Sequence, residues 1–223
     1  MNMCGRFNIA IAVGWPERFG VEEPSPPIEL HYNIAPTQLV PVIVRDSPNR
    51  IQMMQWGLVP FWARDPKIGS RMINARAETI AEKPAFSHSY QRHRCLVPAT
   101  GFYEWKKTPQ GRIPYNVCLK DHSLFAMAGL FDRWTSPEGQ ELFTFTIVTT
   151  EPNSLSRPLH DRMPAILRRE HEPLWLQTEP LSMDELFEVT APYPSEEMEA
   201  YPVTSAVNTP ANDTADLIKP VNR

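Results

Sequence analysis

Seven short apolar runs rich in β-branched residues, at residues 38–44, 51–56, 95–97, 101–105, 113–119, 124–131 and 143–149, constrain this chain more than any other feature. Each is short and bounded by turn-forming residues, which is the pattern of strands. Pro109-Gln110-Gly111 and Ser136-Pro137-Glu138-Gly139 fall between consecutive runs and read as the turns that join strand pairs. The expected architecture is α+β: a largely antiparallel sheet, curled or barrel-like, with fewer helices at 75–82, 84–91, 169–177 and 181–189. Ser182-Met183-Asp184-Glu185 fits a helix start, with acids in the first turn. The 24 prolines are scattered between strands, densest at Pro24, Pro26 and Pro27, so they read as fixed loops instead of a disordered tail.

With 223 residues and 42% hydrophobic content the chain can bury a real core, and it reads as one domain over 1–223 with an acidic helical segment at about 170–200. No apolar run reaches 18 residues, so no transmembrane helix is expected. The apolar stretch at 7–15 is short and has no small-residue cleavage site after it, which argues against a signal peptide. Cys4, Cys95 and Cys118 are odd in number and lack paired spacings, so a reducing, cytoplasmic setting fits. His88, His93 and Cys95 do not match zinc-ligand spacings, and neither a metal nor a cofactor is expected.

The net charge of −4 argues against a nucleic-acid partner until the charges are located. Residues 170–200 carry nine of the 26 acids and no Lys or Arg, which leaves 22 basic against 17 acidic residues elsewhere. The remainder is therefore mildly basic. The plainer reading is that both charge sets solvate the surface.

Three residues stand in surroundings that suit chemistry. Cys4, in Cys4-Gly5-Arg6-Phe7, carries a thiol and, were its amine free, a second nucleophile on the same carbon frame; such a pair can close a thiazolidine ring on an aldehyde. Arg6 can hold a phosphate or a carboxylate. Glu104 lies in Gly101-Phe102-Tyr103-Glu104-Trp105, where strand alternation points it away from Tyr103 and Trp105. A carboxyl among aromatics suits general acid–base work, although a surface carboxylate is the plainer reading. His160 sits in Leu159-His160-Asp161-Arg162-Met163-Pro164, where the alternative is a histidine hydrogen-bonded within a loop. Trp62, in Pro60-Phe61-Trp62, is either core or an exposed ring that stacks on an unstacked base. Trp56, Trp134 and Trp175 are assigned to the core.

Joined to Tyr32-Asn33-Ile34-Ala35-Pro36, Trp56-Gly57-Leu58-Val59-Pro60 and Asn74-Ala75-Arg76-Ala77-Glu78-Thr79, these segments make six motifs in order, and the chain resembles the SOS-response-associated peptidase (SRAP) family. Ala206-Val207-Asn208 resembles that family's closing segment. The resemblance implies a sheet-and-barrel core surrounded by helices. It implies a sensor of abasic sites in single-stranded DNA, probing no membrane and needing no metal, which shields the lesion by a covalent crosslink and cleaves its own N-terminal leader. On this basis Cys4 attacks the ring-opened sugar aldehyde, Glu104 shuttles protons, His160 assists sugar opening and Asn74 fixes the geometry. Arg6, Asn33, Trp62, Arg76 and Arg162 are the expected DNA contacts, and the protein is expected to act as a cytoplasmic, nucleoid-associated monomer. One departure matters: Met1-Asn2-Met3 precede Cys4, and an amine blocked by them cannot form a Schiff base. Asn2 is too large for efficient removal of Met1, so either translation starts at Met3 or the leader is removed by self-cleavage.

Two other functions use the same residues. In one, Cys4 is the nucleophile of an amide hydrolase with His160 or Glu104 as base. In the other, the chain only binds single-stranded DNA, and Cys4→Ala would leave it intact.

Overall fold

A computed structural model describes residues 5–221. Thirteen strands run in chain order as β1 (Phe7–Ile9), β2 (His31–Ile34), β3 (Leu39–Val44), β4 (Arg50–Trp56), β5 (Asn74–Arg76), β6 (Arg94–Ala99), β7 (Gly101–Thr108), β8 (Gly111–Leu119), β9 (Phe125–Thr135), β10 (Glu141–Thr150), β11 (Met163–Pro164), β12 (Ile166–Leu167) and β13 (Met198–Pro202). The helices are short: α1 (Trp15–Phe19), α2 (Ser87–Arg92), α3 (Glu172–Leu176) and α4 (Met183–Val189). All seven apolar runs became strands, and both expected turns close hairpins, β7–β8 and β9–β10. Among the described residues no helix is long and apolar enough to cross a membrane.

Strands β4, β3, β6, β9 and β10 pair successively antiparallel, and a parallel contact between β10 and β4 closes the ring into a barrel. Closure leaves these strands no free edge. A second, five-stranded sheet in the order β13-β8-β7-β1-β2 lies against it. Phe7 of this sheet meets Trp56 of the barrel edge-on at 5.1 Å, and Trp56 stacks on Phe145 at 6.4 Å. All three rings are fully buried. Burying a Phe of this kind stabilises by roughly 2–3 kcal/mol, enough to hold the three-residue strand β1 in place. Trp56, Trp134 and Trp175 are buried, as assigned.

Residues 75–82 do not form an α-helix. Asn74–Arg76 form β5, which lies parallel to β10 with Ile147 opposite Asn74 and Thr149 opposite Arg76, and a 3-10 turn at Ala77–Thr79 follows. The ladder against β10 overrides the local helix preference of an Ala- and Glu-containing segment. The expected helix at 181–189 is present from Met183, with Ser182 and Glu185 capping each other reciprocally. In the acidic segment, Glu172 is not a solvating charge: it is buried in a bidentate pair with Arg18, at 2.5 and 2.8 Å. Burial pushes its carboxyl up, and Arg18 opposes that shift.

Candidate active site and nucleic-acid interface

β7 alternates as the sequence suggests. Phe102 enters the main core, while Tyr103 and Trp105 join a separate apolar cluster with Val203, Val207 and Leu217. Glu104, on the alternate face of the strand and 4% exposed, lines a cleft of about 790 Å³ that Trp105 also borders. The opposite wall is the loop 151–162, which carries His160 and Arg162. Asn153 shapes that loop: its side chain accepts from the Ser156 N–H at 2.9 Å and donates to the Tyr193 carbonyl at 2.7 Å. The His160 N–H then donates to the Ser156 carbonyl at 3.0 Å. Lys107, Arg112 and Arg157 also line the cleft. Lys107 and Arg112 are direct cross-strand partners in the β7–β8 hairpin.

His160 Nδ1 lies 2.7 Å from an Asp161 carboxylate oxygen and 3.2 Å from the Arg162 backbone N–H. These contacts need opposite states of that nitrogen: a proton to donate to Asp161, or a lone pair to accept from Arg162. Burial lowers the imidazole's pKa below its ordinary value; Asp161 opposes this, and Lys107 and Arg112 add to it. Burial thus favours the uncharged ring, in which the choice between its two contacts is a choice between tautomers. An imidazole in that condition can take a proton at one nitrogen and release one from the other.

Arg162, expected at the nucleic-acid backbone, has its donor fork occupied within the protein. Its terminal nitrogens donate to the two Glu78 carboxylate oxygens at 2.5 and 2.8 Å and to the Thr149 carbonyl at 2.6 Å. The pair ties the His160 loop to the segment that follows β5. Arg76, two residues before Glu78, is exposed. Asn74 occupies β5 beside β10 and is half-buried.

Arg6 and Asn33 are bonded to one another and to the segment 207–212. Arg6 donates to the Asn33 side-chain oxygen at 2.9 Å and to the Val207 carbonyl at 2.8 Å. Asn33, buried, donates to the carbonyls of Val207, Thr209 and Asn212. The Asp213 carboxylate accepts from the backbone N–H groups of Tyr32 and Asn33 and lies 2.8 Å from His31 Nδ1. Together these bonds lash the start of the chain to the segment 207–213. The Tyr103 N–H donates to the Arg6 carbonyl at 3.0 Å, so the described chain begins beside the part of β7 that carries Glu104. Cys4, one residue earlier, lies outside the described residues.

Trp62 is 49% exposed and Phe61 52% exposed, on a corner that is anchored from beneath. The Val59 N–H donates to Thr144 Oγ1 at 2.8 Å, the Phe61 N–H to Asp132 Oδ2 at 2.9 Å, and the Trp134 indole N–H to the Ala63 carbonyl at 2.7 Å. Gly57 makes the corner possible: its φ of 123° is left-handed, and a Cβ there would stand 2.6 Å from the Gly69 carbonyl oxygen. The two rings are therefore presented on fixed backbone, and Trp62 lines a recess with Arg64, Lys67 and Arg71. A family model described as "SOS response associated peptidase (SRAP)" matches residues 3–210. The chain belongs to this family.

Related proteins match most of this chain. Abasic site processing protein YoqW of Bacillus subtilis is 46% identical over 222 residues, covering 97% of this chain and 99% of that protein. Abasic site processing protein HMCES of Gallus gallus is 32% identical, covering 85% of this chain and 66% of that protein. A solved structure of a Bacteroides thetaiotaomicron protein superposes with a TM-score of 0.88 at 32% identity, covering 98% of this chain and all of that one. Within this SRAP chain the structure brings Glu104, His160 and Arg162 to one cleft and leaves Trp62 on a separate corner. Sequence reading missed Lys107, Arg112 and Arg157 as cleft residues. The first two were within reach, because the Pro109-Gln110-Gly111 turn fixes a hairpin register that sets them opposite each other. Arg157 was not, because its position depends on the fold of a strandless loop.

Proposed function

We propose that this SRAP protein captures abasic sites in single-stranded DNA through a covalent bond to Cys4. The observation that carries the reading is the cleft: a buried Glu104 and a His160 whose pKa burial lowers line it with Lys107, Arg112 and Arg157, beside the point where the described chain begins. The names of the relatives, abasic site processing proteins at up to 46% identity over nearly full length, support it.

The chemistry assigned to the cleft balances without a cofactor. The Cys4 α-amine adds to the aldehyde of the ring-opened deoxyribose, and the carbinolamine loses water to give an imine. The thiol then adds to the imine carbon, its proton passing to the nitrogen, and a thiazolidine closes. Glu104 donates the proton that leaves with water, recovers one from the nitrogen as the imine forms, and relays the thiol proton to that nitrogen. His160 moves a proton from the sugar's C1′ hydroxyl to the ring oxygen as the furanose opens. Asn74 orients the reacting groups, exposed Arg76 contacts phosphate and Trp62 stacks on a base beside the lesion. Arg6, Asn33 and Arg162 act from within the protein, by fixing the chain start and the His160 loop.

The amine becomes available when the Met3–Cys4 bond is hydrolysed, a self-cleavage in which Glu104 activates water. The test is incubation with labelled single-stranded DNA carrying one abasic site, read on a denaturing gel and by intact mass. A heat-stable adduct is expected, from protein that has lost Met1-Asn2-Met3, with none from Cys4→Ala. Equal adduct from Cys4→Ala, or none from protein shown by mass to begin at Cys4, refutes the proposal.

A further inference from the structure

Three potential metal ligands converge near the end of β8. Cys118 is buried near the end of β8, and Glu199 of β13 is its direct cross-strand partner. His122 follows in the turn between β8 and β9. Cys118 Sγ lies 3.6 Å from Glu199 Oε1 and 3.8 Å from His122 Nδ1, and His122 Nε2 lies 3.4 Å from the same Glu199 oxygen. One donor atom from each residue falls within 4.8 Å of the other two. None of the three lines the Glu104–His160 cleft.

Tetrahedral zinc with Zn–S near 2.3 Å and Zn–N or Zn–O near 2.0–2.1 Å separates its ligands by about 3.5 Å. The Sγ–Oε1 and Sγ–Nδ1 separations are already close to that edge length. A thiolate, an imidazole and a carboxylate form a donor set suited to zinc and unsuited to magnesium or calcium, which take oxygen ligands. His122 adopts φ 53°, a left-handed conformation unusual for a non-glycine residue, and this places its ring back over Cys118 and Glu199. The ring stays 65% exposed, so the fourth position is open to water. The other grouping, His88, His93 and Asp132, is a weaker candidate, because both Asp132 oxygens already accept backbone N–H groups, from Phe61 and Arg133.

We propose that Cys118, His122 and Glu199 bind one zinc ion, with water as fourth ligand, and that the ion fastens the β8–β9 turn to β13. On binding, the Cys118 thiol loses its proton to solvent and a sulfur–zinc bond forms; nothing is oxidised or reduced. β13 leads directly into the segment 207–213 that holds Arg6 and Asn33, so the ion would steady that clamp at its base.

The experiment uses full-length protein with Zn²⁺ competed against a chromophoric chelator, and Co²⁺ as an optical probe. One Zn²⁺ per chain is expected, with a thiolate-to-cobalt charge-transfer band and a zinc-dependent rise in thermal midpoint. The band should persist in Cys4→Ala and vanish in Cys118→Ser. Cys118→Ser and His122→Asn should each lower zinc affinity on the order of 100-fold or more. Asn tolerates positive φ, so His122→Asn removes the ligand while keeping the turn. Failure of the wild-type protein to compete for Zn²⁺, or a cobalt band unaltered by Cys118→Ser, overturns the proposal.

Discussion

Glu78→Ala decides what Arg162 is for. Two charge-assisted bonds at 2.5 and 2.8 Å join the pair, with Arg162 nearly buried and the Glu78 side chain 39% exposed. Bonds to charged groups contribute about 1.5–3 kcal/mol each, and solvent at Glu78 screens part of that, so a loss of about 2 kcal/mol is expected. For a chain of this length that corresponds to a fall in thermal midpoint of roughly 4–8 °C. Burial pushes the Glu78 carboxyl up, but Arg162, a backbone bond and Arg76 outweigh it and hold the group below its usual range. A carboxyl depressed in the folded state contributes stability that is complete above its unfolded value, about 4.3, and is lost as pH falls through the folded value. The difference between wild type and variant should therefore be constant near neutrality and shrink in acid. Because the Arg162 N–H also bonds His160 Nδ1, release of the loop should slow single-turnover crosslinking by about 10- to 100-fold with no gain in DNA affinity. If Glu78→Ala instead melts like wild type and binds DNA more tightly with a steeper salt dependence, Arg162 is a phosphate contact and the positioning argument fails.

Trp62→Ala should weaken binding to single-stranded DNA by about 1–3 kcal/mol in fluorescence anisotropy, as loss of one stacking platform does, and change stability by no more than about 0.5 kcal/mol. Asn33→Ala should behave oppositely: it strips donors from three carbonyls and an acceptor from Arg6, so denaturant unfolding should show a loss of at least about 2 kcal/mol, while DNA affinity of the folded fraction is unchanged. Burial, aided by Lys107 and Arg112 and opposed by Asp161, depresses His160, so its NMR titration should fall below the ordinary histidine value; the crosslinking rate should hold through pH 6.5 and drop only in more acid solution. A midpoint at or above 6.5 contradicts the burial argument. Glu104→Gln, which keeps shape and removes only the titrating group, should slow adduct formation by roughly 10²–10⁴ in single-turnover assays with little loss of DNA binding.

The barrel was legible because strands announce themselves locally. Residues 113–119 and 143–149 show their β-branched content and bounding turns whatever the rest of the chain does, and β8 and β10 appear there. β5 was misread as helix, since Asn74-Ala75-Arg76 is extended only because β10 offers a ladder to it. Glu104 was legible for the same reason as the barrel: a period of two fixes which way a strand residue points. Arg6, Asn33 and Arg162 are polar and motif-borne, so sequence alone casts them as ligand contacts. Their donors end on carbonyls or carboxylates 13 to 202 positions away, a distance over which local pattern carries no information.

The bond from Arg6 to the Val207 carbonyl spans 201 positions. A ribosome adding about 5–20 residues per second needs roughly 10–40 s to make that interval. Until then the Arg6 guanidinium has only the Asn33 side chain to bond, and β7, a neighbour of β1 in the sheet, emerges only half-way through. The clamp on Arg6 is thus among the last parts of the molecule to be synthesised, and it closes only when translation is nearly complete.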